Sequence, residues 1–102
     1  MSTMVFLCPT PEEVSTWSKT IPLCQVFWQY MNESNKFVDM PPDYSAKYEE
    51  HFRQGTPEFE YDVAYAKGTK TYHYKVNLPN MTQSNTKTGT VRNLRGLVVC
   101  NP

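Results

Sequence analysis

No Asp or Glu follows Asp62 in this chain of 102 residues, so the last forty positions are free of carboxylates. Glycine is scarce, at 4 residues, and neither GxGxxG nor GxxxxGK[ST] occurs, which removes the common glycine-rich phosphate cradles. No apolar run approaches the roughly 20 residues that cross a bilayer. The opening MSTMVFLCPTPEE has neither the basic head nor the long apolar segment of a secretory signal. A soluble protein of the cytoplasm or nucleus, without a membrane partner, is the expectation. The three cysteines, Cys8, Cys24 and Cys100, are odd in number and widely spaced, with no CxxC and no histidines at zinc-finger intervals. That pattern predicts neither a disulfide scaffold nor structural zinc. His51 and His73 are not spaced as ligands on one element, and no serine or cysteine lies in a recognised nucleophile motif, so neither catalysis nor a metal or other cofactor is expected. A net charge of zero with 39% hydrophobic residues is not the composition of a disordered polymer, and the length suits one small domain.

The charges that are present are segregated. All ten acids lie at or before Asp62 beside four bases, and six bases follow with no acid among them. A carboxylate-free half can present a surface to an anionic partner; the alternative is a dipolar surface with no ligand role.

Local signals organise the chain as α+β. Thr10-Pro11-Glu12-Glu13 combines a capping hydroxyl, a proline at the first helical position and a glutamate three residues after the threonine, predicting a short helix from Pro11 to about Lys19. Cys24 to Met31 is rich in β-formers, with Val26, Trp28 and Tyr30 on one strand face, and Phe37-Val38 begins a second strand after a polar turn. Asp43 is placed to cap a helix that runs to about Arg53 and stops at Gly55. On it Tyr44, Tyr48 and Phe52 form an apolar stripe, while Glu49 and Glu50 read as solvated or capping. Glu58 to Tyr65 alternates as a strand, Lys70 to Asn77 alternates again, and Met81 to Thr86 and Thr90 to Arg95 complete a third hairpin. The sum is a strongly twisted antiparallel sheet of about six strands packed on one main helix, with a short N-terminal helix besides.

Aromatic rings on strands beside a cationic half suit a nucleotide-like ligand, since rings stack on purines and arginine forms paired bonds to a diphosphate. Long single strands of nucleic acid are not the expected partner, because the rings form a compact set rather than a row.

Trp28-Gln-Tyr30, Phe37, Tyr48-Glu49 with Phe52, Tyr74-x-Val76-x-Leu78, and above all MTQSNTKTGTVRNLR from Met81 to Arg95 resemble the WWE domain. The resemblance divides the chain into an N-terminal extension (1–23) with its short helix, a WWE-like domain (24–95) and a C-terminal tail (96–102). Trp28 takes the place of the family's first tryptophan, Phe37 replaces the second as a core ring, and Glu49 takes the place of the glutamate. The implied fold is half a β-barrel around one helix. The implied function is non-catalytic recognition of the iso-ADP-ribose unit of poly(ADP-ribose), or of terminal ADP-ribose, in the company of ubiquitin ligase or ADP-ribosyltransferase domains. Other members of the family serve as protein-interaction modules, which is the alternative. The ligand-binding positions implied are Tyr30, Tyr74, Gln83 and Arg92: two rings with hydroxyls, an amide for paired bonds to the adenine edge, and a guanidinium for the diphosphate. Lys75, Lys87 and Arg95 add attraction for a polyanion.

The turn between the last two strands leaves two registers open. A two-residue loop at Lys87-Thr88 puts Gln83 opposite Arg92 on one face. A bulge at Gly89 pairs Ser84 with Arg92 and turns Gln83 away.

Overall fold

A computed structural model describes residues 3–20, 24–64 and 71–101. Among them the chain forms seven strands and two helices: β1 (Met4–Cys8), α1 (Pro11–Thr20), β2 (Cys24–Met31), β3 (Phe37–Asp39), α2 (Pro42–Gln54), β4 (Glu58–Ala64), β5 (Thr71–Asn77), β6 (Thr82–Asn85) and β7 (Val91–Cys100). The antiparallel sheet has the order β3-β2-β7-β6-β5-β4, with β1 added against β7. It stays open, as a twisted half-barrel whose inner face holds the helices. The predicted α+β architecture is therefore the observed one. The last residue of the strand predicted from Glu58 and the connection at 66–69 lie outside the described residues.

Both helices start and stop for reasons visible in the chain. The Glu13 amide donates to Thr10 Oγ1 at 3.3 Å, and the Thr10 hydroxyl donates to Glu13 Oε1 at 3.0 Å, a reciprocal cap on α1. At α2 the capping differs from expectation. Helix α2 begins at Pro42, and Asp43 sits inside its first turn with no side-chain cap. The Pro41 carbonyl accepts from the Tyr44 and Ser45 amides, and two prolines in sequence leave few amides for a carboxylate to cap. Gly55, at φ 73°, ends the helix, where its own amide and that of Thr56 bond back to Phe52 and His51.

Trp28 fastens α2 to the sheet. Fully buried, it donates its main-chain amide to Ser45 Oγ (2.9 Å) and its indole N–H to Glu49 Oε2 (3.3 Å). Its ring lies 5.9 Å from Tyr48 and 5.5 Å from Phe52, two members of the predicted stripe. Glu49 is thus not merely solvated: one oxygen accepts from Trp28 and the other from Arg53. Phe37, expected as a core ring, is only half-buried and lies outside the core cluster. The Arg95 guanidinium covers it, 4.1 Å from its centroid. Parity explains the outcome, since Leu94, Val98 and Cys100 fill the inner face of β7 and turn Arg95 outward.

Residues 3–20 do more than carry a helix. β1 pairs with residues 96–100 of β7, so that segment of β7 continues the sheet as a central strand. α1 lies across it, with Trp17 stacked on Phe6 at 4.0 Å and Val14 fully buried. Gly96 makes this approach possible, because a Cβ there would stand 2.8 Å from Val14 Cγ2. Cys24 and Cys100 face each other in the β2–β7 ladder and form a disulfide, with Cα atoms 4.1 Å apart. This overturns the expectation of no disulfide: 76 residues separate the two cysteines in the chain, and strand pairing brings them together. No helix among the described residues is long and apolar enough to cross a membrane.

Candidate functional site

Pairing fixes the register left open above. Gln83 stands opposite Arg92, and Asn85 closes the turn by accepting from the Gly89 amide while donating to Thr90. The loop is thus wider than Lys87-Thr88 yet centred on the same pair, with Gly89 at φ 77° taking the left-handed position that favours glycine. Both side chains fall on the inner face of the sheet.

There they help to line a cavity of about 260 Å³. Tyr30 reaches it from β2, Tyr74 from β5, Gln83 from β6 and Arg92 from β7, so all four positions implied by the resemblance meet in one recess. Tyr44 from the first turn of α2 and Tyr61 and Val63 from β4 complete the aromatic wall, with Met40 and Pro41 beside them. The recess lies at the N-terminal end of α2, beyond Tyr48 and Phe52, where the helix no longer fills the half-barrel. None of the described residues of the N-terminal extension lines it.

The rings are continuous. Tyr44 and Tyr61 lie 5.4 Å apart and Tyr61 and Tyr74 5.7 Å apart, spacings at which aromatic pairs attract. Arg92 stands 5.9 Å from the Tyr30 centroid. Its Nη1 donates to the Met31 carbonyl at 3.1 Å, which orients the guanidinium, while Nη2 is 3.7 Å from Glu33, a side chain 92% exposed. Among the described residues Arg92 is the cation that lines the cavity. It also borders a second depression of about 470 Å³ formed with Glu33, Asn35, Thr90 and Asn93.

Gln83 is not free as expected. Its Nε2 donates to the hydroxyls of Tyr48 (3.0 Å) and Tyr61 (2.9 Å), and these two oxygens lie 2.9 Å apart. Only the amide carbonyl is left for a ligand, so paired bonds to an adenine edge are not available from Gln83 alone. Burial pushes the Tyr48 hydroxyl well above the ordinary tyrosine range, and that of Tyr61 in the same direction. Arg95 and Lys75, expected to help attract a polyanion, belong to the outer face: Arg95 Nε donates to Gln29 at 2.7 Å, and Lys75 is 3.9 Å from Glu58.

Tyr44, Tyr61 and Val63 were not among the expected site residues, because the α2 stripe and the alternation of β4 both read as core. The signal that identifies Tyr61 is the pairing of β4 with β5, in which Tyr61 is directly opposite Tyr74; any recess reached by one is reached by the other.

No curated protein matches the chain. A family model described as the WWE domain matches residues 26–95, the span that supplies Trp28, Glu49 and every described wall of the cavity. With two thirds of its length in that match, the chain belongs to the WWE domain family, a family of binding modules.

Proposed function

We propose that this chain is a non-catalytic reader of ADP-ribose-type ligands, taking the iso-ADP-ribose unit of poly(ADP-ribose) or a terminal ADP-ribose. One observation carries the reading: Tyr30, Tyr74, Gln83 and Arg92 converge from separate strands on a single aromatic recess. Such a recess supplies stacking surface worth about 1 to 3 kcal/mol per base, and Arg92 supplies charge-assisted hydrogen bonds for the diphosphate. A volume of about 260 Å³ is small beside the roughly 300 to 1,000 Å³ of drug-sized pockets. It suits the base and part of its ribose, and the depression on the other side of Arg92 offers room for the rest.

On this reading the protein works in the cytoplasm or nucleus, binding ADP-ribosylated proteins beside ubiquitin ligase or ADP-ribosyltransferase domains. Thiol buffers there would keep Cys24 and Cys100 reduced, and the β2–β7 ladder still holds them opposite each other.

A protein-interaction role is the second reading. It is favoured by Val5, Leu7 and Phe27, which are exposed on the outward face of β1 and β2, since clustered apolar side chains on a surface mark contact sites. Calorimetric titration of the folded protein with iso-ADP-ribose and with ADP-ribose separates the two readings. Heat with either ligand supports the reader, and silence with both supports the interaction module.

A further inference from the structure

Counting hydrogens in the floor of the cavity shows which groups face a ligand. Three polar atoms, Gln83 Nε2, Tyr48 Oη and Tyr61 Oη, lie mutually 2.9 to 3.0 Å apart. Three such contacts need three hydrogens. The amide nitrogen supplies two, one to each hydroxyl, so the third must come from a tyrosine. Tyr48 is fully buried and lies outside the cavity wall. Its only hydrogen-bond acceptor among the described residues is Tyr61, so Tyr48 donates to Tyr61. Turning the Gln83 amide over would put its oxygen among the hydroxyls, leaving two hydrogens for three contacts and one pair of oxygens facing each other unprotonated. The triangle therefore fixes the orientation that crystallographic densities usually leave to inference.

Two groups are left over, both on residues that line the cavity. Tyr61 already accepts from Tyr48 and Gln83, and its own hydrogen has no acceptor among the described residues. Gln83 Oε1 has no donor there either. We propose that Tyr61 O–H and Gln83 Oε1 form a donor and acceptor pair that selects a ligand edge carrying an acceptor next to an N–H donor, with Tyr48 as the residue that positions both. The raised Tyr48 and Tyr61 hydroxyls remain protonated well above neutral pH, so the count holds under ordinary conditions.

On the ADP-ribose reading proposed above, the matching edge is that of adenine, whose amino group lies between ring nitrogens N1 and N7. Gln83 Oε1 takes an amino hydrogen and Tyr61 donates to the adjacent nitrogen. Unsubstituted purine carries hydrogen in place of the amino group, so this edge offers the Gln83 oxygen no N–H donor, and an unsatisfied buried acceptor is expensive.

The test is calorimetric titration of ADP-ribose and its counterpart with unsubstituted purine as the base into the wild-type protein, Tyr61→Phe and Tyr48→Phe, with a melting curve for each. The expected result is an adenine preference of about tenfold or more in the wild type, kept at a smaller ratio in Tyr48→Phe, and a weakening of about tenfold for both ligands in Tyr61→Phe. Equal affinity of the wild type for the two ligands overturns the assignment, as does undiminished binding of ADP-ribose by a folded Tyr61→Phe; the first comparison needs no variant to fold. If the wild type binds neither ligand, the ADP-ribose reading fails and this assignment falls with it, a result distinct from binding without discrimination.

Discussion

Gln83 and Arg92 face each other across β6 and β7, so an amide carbonyl and a guanidinium enter the same recess from adjacent strands. The amide is held through its nitrogen, which donates to two tyrosine hydroxyls, and the guanidinium by donating to a main-chain carbonyl. The recess is thus organised before any ligand arrives, which lowers the ordering cost of binding.

Arg92→Ala removes the cation of the cavity. Its expected effect is a loss of about 1.5 to 3 kcal/mol in binding ADP-ribose, with a stability change under about 1 kcal/mol, because one hydrogen bond to Met31 is lost. Glu33 acts in the opposite direction. As an exposed carboxylate 3.7 Å from the same guanidinium it repels a diphosphate, so Glu33→Gln is expected to tighten binding by up to about threefold, within the range of a surface ion pair. Calorimetry and melting curves on the two variants check both signs.

Trp28→Ala should act on stability. The side chain is fully buried, touches Tyr48 and Phe52 and anchors α2 through Glu49. A loss of about 3 to 5 kcal/mol is expected from the cavity left behind, read as a shift of the denaturant midpoint. A stability within about 1 kcal/mol of the wild type would contradict its place in the core.

Gly96→Ala probes the docking of the N-terminal segment. The new methyl would stand 2.8 Å from Val14 Cγ2, and valine is stiff about its first side-chain torsion. Overpacking should cost about 1 to 3 kcal/mol. Val14→Ala opens space, so its cost in the Gly96→Ala background should fall below its cost alone, a coupling that a double-mutant cycle measures.

His73 gives the outer face a pH dependence. Its two ring nitrogens lie against Glu60 and Asp62, so both must carry hydrogen, and these bonds, Glu60 first, raise the imidazole above its ordinary value of 6.5. A histidine whose folded value is raised binds its proton more tightly in the native state. Its contribution is therefore complete below about pH 6.5 and is lost as pH rises through the higher folded value. The thermal midpoint should decline over that interval, and His73→Gln should flatten the decline.

Much of the fold was legible because each element carries a local cause. Alternation marks β4 and β5, Thr10 with Glu13 caps α1, and Gly55 stops α2. What escaped depends on pairings between distant segments. β1 is a short run of β-formers whose partner lies at the other end of the chain, the Cys24–Cys100 bond needs the β2–β7 register, and Phe37 leaves the core because Leu94 sets the parity of Arg95. The site divides the same way. The resemblance named Tyr30, Tyr74, Gln83 and Arg92, whereas Tyr44, Tyr61 and Val63 become cavity walls only because α2 begins where it does and leaves one end of the half-barrel unfilled.

The central claim, that the aromatic recess is where an ADP-ribose ligand binds, is tested most directly by following backbone and side-chain NMR signals during titration with ADP-ribose. The account predicts saturable shifts concentrated at Tyr30, Tyr61, Tyr74, Gln83 and Arg92, with Arg95 and Lys75 on the outer face unmoved. Shifts confined to that outer face, or none at ligand concentrations that saturate known readers, would contradict it.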